Sequence, residues 1–330
     1  MAGQETKIMS TVYSAKLRTP RSERALPYML LAPAVVLLLL LTIYPLIYAV
    51  KISLRTPAGA WTFANFARLV EDRFFGTALL QTFIYATAAL AAEFVLGLGL
   101  ALLLDSQIRA RKLFRLLLLV PMMLPPVVVA VIWRLLYNPN FGAINGTLMQ
   151  WGIDASKLTW IASPTMALPS VILVDIWQWT PFMFLILLAG LQAIPQEPYE
   201  AAMIDGSSAW QTFRHITLPL LQPAILIALL LRTMDLLRVF DQIFILTQGG
   251  PGFATETISL YIYKTAFRFF DFGYAAAMSF VLLLLTNLIS VGYIRLLKRQ
   301  GRSEERRAKG EGRRARSEGR RAKGEEGGEG

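Results

Sequence analysis

The sequence predicts an all-α integral membrane protein with six transmembrane helices. Three observations carry that prediction. Of the 330 residues, 55% are hydrophobic, above the roughly 45–50% usual in soluble domains. Six apolar runs, at 27–49, 77–104, 113–136, 167–191, 223–247 and 274–297, each reach the roughly 20 residues that a helix needs to cross a bilayer. Cysteine is absent and His215 is the sole histidine, which excludes disulfide frameworks, thiolate zinc sites and His-cluster metal chemistry.

In chain order, residues 1–26 form a polar, basic tail. The first span, "LPYMLLAPAVVLLLLLTIYPLIYAV", is too long for the apolar part of a signal peptide and lacks a small-residue cleavage site, so it reads as retained. Between spans one and two, "WTFANFARLVEDRFF" (61–75) is apolar at 63, 66, 69 and 70, the spacing of an amphipathic helix lying along a membrane surface. Prolines 33, 45, 121, 125, 126 and 181 fall inside spans. They are expected to kink or break helices whose freed carbonyls must find neighbours or cavity water.

Orientation follows from the basic residues, which favour the cytoplasmic side. With both termini inside, the cytoplasmic segments carry 23 Lys and Arg against 7 on the opposite side. The loop at 191–222 is then cytoplasmic, and "TQGGPGFATET" (247–257) forms a tight turn at the outer mouth. Residues 298–330 repeat "RRAKGEG", "RRARSEG" and "RRAKGEE" with no apolar face. That composition reads as a disordered, solvated tail near anionic headgroups rather than a nucleic-acid arm. The organisation is thus an N-terminal tail (1–26), a six-span domain (27–297) and a basic low-complexity tail (298–330).

The polar interruption "EPYEAAMIDGSSAWQTFRHITLPLLQP" (197–223) reads as a helical hairpin. Pro195 and Pro198 suit a helix's first turn, and Gly206 sits where a left-handed terminating residue is wanted. Ser207 or Ser208 can cap a second helix, which Pro219 is expected to stop. Ala201 and Ala202 leave one flank thin enough for a foreign backbone, and Phe213 gives the second helix an apolar edge.

The pattern Glu-Ala-Ala at 200–202, Asp-Gly at 205–206 and Ile-x-Leu-Pro at 216–219 resembles the cytoplasmic coupling loop of binding-protein-dependent ABC importer permeases. "NPNFGAINGTL" (138–148), "WTPFMFLILLAGLQAIP" (179–195), "LTQGGP" (246–251) and "FDFGYAAAMS" (270–279) are similar to its carbohydrate branch, the maltose/trehalose type. Two departures are visible: Ser207 replaces the usual Ala, and the large periplasmic insertion of the enteric maltose permease is absent. The resemblance implies an ABC type I importer permease bundle in a bacterial or archaeal cytoplasmic membrane. It also implies a second permease chain as heterodimer partner, two ATPase subunits, and a periplasmic or lipid-anchored sugar-binding protein. By resemblance, Glu200, Ala201, Ala202, Asp205, Gly206 and Phe213 couple to the ATPase. No G-x-x-x-x-G-K-[ST] phosphate loop occurs, so no cofactor is expected on this chain and ATP is left to the partner subunits. No G-x-S-x-G occurs either, and a transporter subunit rather than an enzyme is expected.

Charges buried in the spans mark the candidate substrate path, because each costs roughly 2.5–3.5 kcal/mol at a bilayer centre on insertion scales. "RTMDLLRVFDQ" places Arg232, Asp235, Arg238 and Asp241 at steps of three with alternating sign, so neighbours can neutralise each other along one helix. "DIWQWTPF" places Asp175, Gln178 or Trp179, and Phe182 on one face. Charged groups can hold sugar hydroxyls, and an indole offers a flat apolar platform. The resemblance points to the same two stretches as a sugar site, matching Asp175, Gln178, Trp179, Phe182, Arg232 and Val239 by position only. Glu93 reads as an inter-helix or inter-subunit partner. The alternatives are a permease for glycerol-3-phosphate or another polyol phosphate, a proton-coupled transporter and a membrane-embedded enzyme.

Overall fold

The computed structural model describes residues 21–326 apart from 57, 106–110 and 156, with side chains from 28 to 299. The N-terminal tail expected at 1–26 therefore lies mostly outside the described residues. Thirteen α-helices follow one another: α1 (Arg21–Ser53), α2 (Ala64–Glu71), α3 (Arg73–Asp105), α4 (Arg111–Met123), α5 (Pro126–Leu136), α6 (Ala143–Gln150), α7 (Ala167–Gln192), α8 (Glu197–Ile204), α9 (Ala209–Thr212), α10 (Leu218–Leu236), α11 (Asp241–Leu246), α12 (Ile258–Phe267) and α13 (Phe272–Glu326). Among the described residues the only extended pairing is an isolated bridge, Arg55–Trp61.

Among the described residues, five helical segments are long and apolar enough to cross a membrane, and a sixth crossing results if α4 and α5 count as one bent span. The bend between those two is 94°. It falls where the sequence reads Pro-Pro: Pro125 is extended (φ −58°, ψ 139°) and Pro126 opens α5. A residue before proline is pushed out of helical geometry, and proline at a first turn forfeits no bond. The other prolines in the spans are carried within helices: Pro121 in α4 and Pro181 in α7, with Pro33 and Pro45 inside α1.

Two expectations about helix limits are corrected. Pro219 does not stop the second hairpin helix. A π-helical turn at Phe213–Thr217 joins α9 to α10, so helix continues from Ala209 to Leu236. Pro219 lies in the first turn after the wide one, where its missing N–H disturbs the register least. The fifth span consequently starts before 223, and its helix ends at Leu236 instead of running on to 247. Residues 237–240 break it, and α11 starts at Asp241. Helix α13 carries helical backbone on through Glu326.

Three apolar clusters form the core. One gathers Ala101, Met183, Phe184, Leu187, Leu221 and Ile225 from α3, α7 and α10 at the hairpin end. A second gathers Tyr85, Ala89, Val129, Val171, Val174, Leu236 and Ile243 from α3, α5, α7, α10 and α11. The third, at the end of the bundle far from the hairpin, joins Leu69, Phe75, Ile258, Tyr274 and Met278. Within the amphipathic segment, α2 sends Leu69 and Phe66 into this third cluster, while Phe63 and Val70 stay exposed. The α3–α7 seam is tight because Gly97 has no side chain. A Cβ there would lie 2.8 Å from Met183 Cγ and 3.0 Å from the Phe184 backbone nitrogen. Gly97→Val is expected to cost about 1–3 kcal/mol by overpacking, read as a lower unfolding temperature of the detergent-solubilised protein.

The far end is fastened by polar bonds around Asp72, which accepts from the hydroxyls of Tyr274 (2.6 Å) and Tyr261 (2.7 Å). Beside it Arg68 pairs with Asp271 at 2.7 Å and lies 4.0 Å from the Tyr274 ring centroid. Burial pulls the Asp72 carboxyl upward, but the two hydroxyls and the N–H groups of Phe74 and Phe75 outweigh it and hold the group below its ordinary value. The stabilisation it lends is complete above the unfolded carboxylate range, near 3.8, and fades as pH falls through the lower folded value. Removing the carboxylate removes that acid-dependent term. The unfolding temperature of Asp72→Asn is therefore expected to fall less than wild type between pH 6 and pH about 3.

Candidate functional site

A single guanidinium organises the middle of the bundle. Arg232, from α10, is 2% exposed. Its Nε and Nη2 meet the two Glu93 oxygens of α3 at 2.7 and 2.9 Å. Its Nη2 also donates to Asp175 of α7, and its Nη1 to Asp235 at 2.5 Å. The Trp179 ring stands 5.0 Å from the guanidinium carbon, within cation–π range. Glu93 and Asp175 are buried, whereas the Asp235 side chain is 58% exposed. Each helix contributes its charged residue where it passes from one apolar cluster to the next: Glu93 follows Ala89, Asp175 follows Val174, and Arg232 lies between Ala228 and Leu236. The expected mutual neutralisation therefore holds for Arg232 and Asp235. It does not extend to a ladder, because the helix ends there and Arg238 Nε turns back to the Met234 carbonyl at 2.9 Å.

A cleft of about 120 Å³ opens on this knot, lined by Pro126, Asp175, Trp179, Arg232, Asp235, Arg238, Val239, Phe240, Asp241 and Gln242. It collects five of the seven candidate path residues. Phe182 is absent from its wall and instead braces the indole edge-on, with ring centroids 6.2 Å apart. Gln178 stands behind the cleft: it is fully buried, and both ends of its amide are occupied. Its Nε2 donates to the Leu124 carbonyl at 2.9 Å, at the α4–α5 bend, and its Oε1 accepts from Gln242 at 2.6 Å. Gln242 in turn accepts from the Tyr85 hydroxyl at 3.2 Å. The bend exposes a carbonyl that must be paired once buried, and Gln178 pairs it. Sequence reasoning missed Phe240 and Gln242 as site residues, since nothing in "VFDQIF" announces a helix break. Glu93, a lone carboxylate in an apolar run, did signal an inter-helix partner, and that partner is Arg232.

The hairpin is built largely as its residues dictate. Gly206 has φ +70°. Its N–H bonds Met203 O at 3.2 Å and that of Ser207 bonds Ala202 O at 2.9 Å, the paired closure of a glycine-terminated helix. Ser208 caps α9, with Gln211 returning the bond at 2.8 Å. Pro198 stands in α8's first turn, and Pro195 lies just ahead of the cap. Of the coupling candidates, Glu200, Ala201, Asp205 and Gly206 are exposed and Phe213 is half-buried beside Trp210. Ala202, by contrast, is 5% exposed. The outward apolar side chains are Met203, Ile204 and Trp210, at 72%, 87% and 66% exposed.

The turn at 247–257 is tight, with Gln248, Gly249 and Gly252 all at positive φ. Thr255, Glu256 and Thr257 are buried there, and Glu256 pairs with Lys264 at 2.5 Å. Burial pushes the Glu256 carboxyl up, against the pull of Lys264.

The sequence profile of the family described as "Binding-protein-dependent transport system inner membrane component" matches residues 93–302, a stretch that takes in the charged knot, the cleft and the hairpin. The chain belongs to that family. This inner membrane component is 37% identical over 282 residues to the trehalose/maltose transport system permease protein MalF of Thermococcus litoralis, covering 83% of this chain and 94% of that protein. It is 33% identical over 303 residues to the trehalose transport system permease protein SugA of Mycobacterium tuberculosis, covering 90% and 96%. Its fold superposes with a TM-score of 0.75, at 25% identity and over 84% of this chain and 96% of the other, on a chain from the crystal structure of a bacterial ABC transporter involved in the import of the acidic polysaccharide alginate. The all-helical importer-permease fold expected from the sequence is therefore that of this component, a transporter subunit.

Proposed function

We propose that this inner membrane component is the permease subunit of a sugar ABC importer. It carries a mono- or oligosaccharide of maltose or trehalose type across the cytoplasmic membrane by alternating access. The observation that carries the reading is the cleft, where an indole face, the exposed Asp235 and the guanidinium of Arg238 converge beside a helix break. A sugar needs that combination: an apolar platform for its C–H face and charge-assisted partners for its hydroxyls. The names borne by the trehalose and maltose relatives support the same substrate class.

Charge favours a neutral ligand over a phosphorylated polyol. Glu93, Asp175, Asp235 and Asp241 stand against Arg232 and Arg238, so an anion would meet surplus negative charge. At about 120 Å³ the cleft is smaller than the roughly 300 Å³ at which ligand pockets begin. A second permease chain supplying the facing wall accounts for the shortfall, as a heterodimer requires. Power comes from two ATPase subunits that grip the exposed faces of α8 and α9, and a binding protein delivers sugar at the opposite end. Both termini are placed in the cytoplasm by the basic-residue bias.

The test is uptake of radiolabelled trehalose or maltose by proteoliposomes holding the four-subunit complex. Uptake is expected to need ATP on the hairpin side and binding protein on the other. Uptake driven by a proton gradient without ATP would overturn the proposal. Substituting Trp179 with leucine is expected to raise the half-saturating sugar concentration about five- to tenfold, the loss of roughly 1–1.4 kcal/mol of ring contact, with the ATPase rate at saturating sugar nearly unchanged.

A further inference from the structure

Helix α13 carries a polar face with no counterpart in its role as a membrane crossing. Ser279, Thr286, Asn287 and Ser290 recur at helical spacing in an otherwise apolar run, within about 100° of one another around the axis. Each donates its side-chain proton to a carbonyl of its own helix four residues back: Ser279 to Ala275 (2.9 Å), Thr286 to Leu282 (2.8 Å), Asn287 to Leu283 (2.8 Å) and Ser290 to Thr286 (2.7 Å). Donation leaves the oxygen lone pairs of this face as acceptors. Ser279 and Asn287 are exposed, and an amide oxygen turned to lipid lacks the partner it needs.

This face lines a groove of about 280 Å³ against Met234 and Arg238 of the α10 end. Arg238 also lines the Trp179 cleft. Its Nε is tied to Met234, leaving the far guanidinium nitrogens as donors between the two spaces.

We propose that the groove is a second saccharide subsite, parted from the cleft by Arg238, in which Asn287 and Ser290 accept hydrogen bonds from sugar hydroxyls while Arg238 donates to the sugar's oxygens. The proposal rests on the reading of the cleft as a sugar site and extends it by one further subsite, for a further ring of an oligosaccharide. The shared wall, with the Arg238 guanidinium able to donate to either side, is what favours sugar over the second permease chain as the occupant.

The chain has no cysteine, so single cysteines can be placed in it without a background. Asn287→Cys and, as a cleft reporter, Val239→Cys are made separately in the complete importer and alkylated with N-ethylmaleimide, which is quantified on this chain by mass spectrometry. The sugar is whichever of trehalose and maltose the complex takes up with ATP. At about ten times the half-saturating concentration, both cysteines are expected to react roughly tenfold more slowly than without sugar, the free fraction that occupancy leaves. Protection of Val239→Cys alone would overturn the groove as a subsite and leave the cleft standing. Protection of neither would remove the cleft reading, and the groove with it. A third result also overturns the proposal: Asn287→Cys unreactive with or without sugar, but cross-linked to the second permease chain by a short bifunctional reagent, makes the face an interface. Asn287→Leu gives an independent readout, an expected five- to tenfold rise in half-saturating sugar, the size of one neutral hydrogen bond lost.

Discussion

Arg232→Met is expected to destabilise the permease by about 3–5 kcal/mol, the cost of breaking a buried ion pair from one side only. Glu93 and Asp175 are both at most 2% exposed, and without the guanidinium they remain as two carboxylates facing each other in an apolar setting. Methionine matches the stem of arginine in length and apolar character, so the loss reports charge rather than volume. Neutralising the acids should restore most of it: in Arg232→Met/Glu93→Gln/Asp175→Asn no buried charge is left uncompensated, and replacing a whole buried charge cluster is often neutral. The measurement is thermal unfolding in detergent of the single and triple variants side by side. If the single variant unfolds at the wild-type temperature, the knot does not hold the three helices together. If the triple variant is as unstable as the single, the damage lies in packing. Transport separates from stability here, because Asp235 loses its partner in both variants and the cleft loses the cation beneath Trp179.

The same knot explains which parts of the molecule were legible in the sequence. Length and hydropathy alone identify α1, α3, α7 and α13, because a bilayer imposes one length on every crossing. The α4–α5 break was foreshadowed by Pro125–Pro126, since proline acts through its own covalent geometry and needs no partner. The fifth crossing was misplaced for the opposite reason. A π turn at Phe213–Thr217 is a change in hydrogen-bond register, which leaves no compositional mark, and Pro219 then imitates a stop. Likewise, Gln178 was read as a path residue from its helix face alone, whereas its amide pairs with a carbonyl 54 residues earlier in the chain, and only the bend brings the two together. Ala202 is ambiguous for another reason: alanine is as suitable for packing inward as for letting a partner approach from outside. Local rules were readable wherever the cause was local. Long-range pairings could be read only as unmet needs.

Gly206→Val is expected to uncouple ATP hydrolysis from sugar uptake while Gly206→Asn leaves coupling near normal. Gly206 sits at φ +70°, and a Cβ built there would meet nothing within 4 Å, so substitution creates no clash and tests backbone conformation alone. A β-branched residue resists that region, at a cost of roughly 1–2 kcal/mol, whereas asparagine is among the few side chains that visit it routinely. Faced with that cost, the chain relieves it by releasing the two closing bonds from Gly206 to Met203 and from Ser207 to Ala202. The end of α8 then frays, and Met203, Ile204 and Asp205, which stand on the exposed side, lose their fixed position. Because α8 reaches the start of α10 through Tyr199, whose hydroxyl bonds that of Thr217 at 3.2 Å, a frayed α8 loosens the link between the outward face and the helix that carries Arg232. The readout is the number of ATP molecules hydrolysed per sugar imported by proteoliposomes of the complete complex. A several-fold rise for valine with no rise for asparagine is the expected pattern. Equal ratios for valine, asparagine and wild type would mean that α8 is not the lever through which the ATPases act.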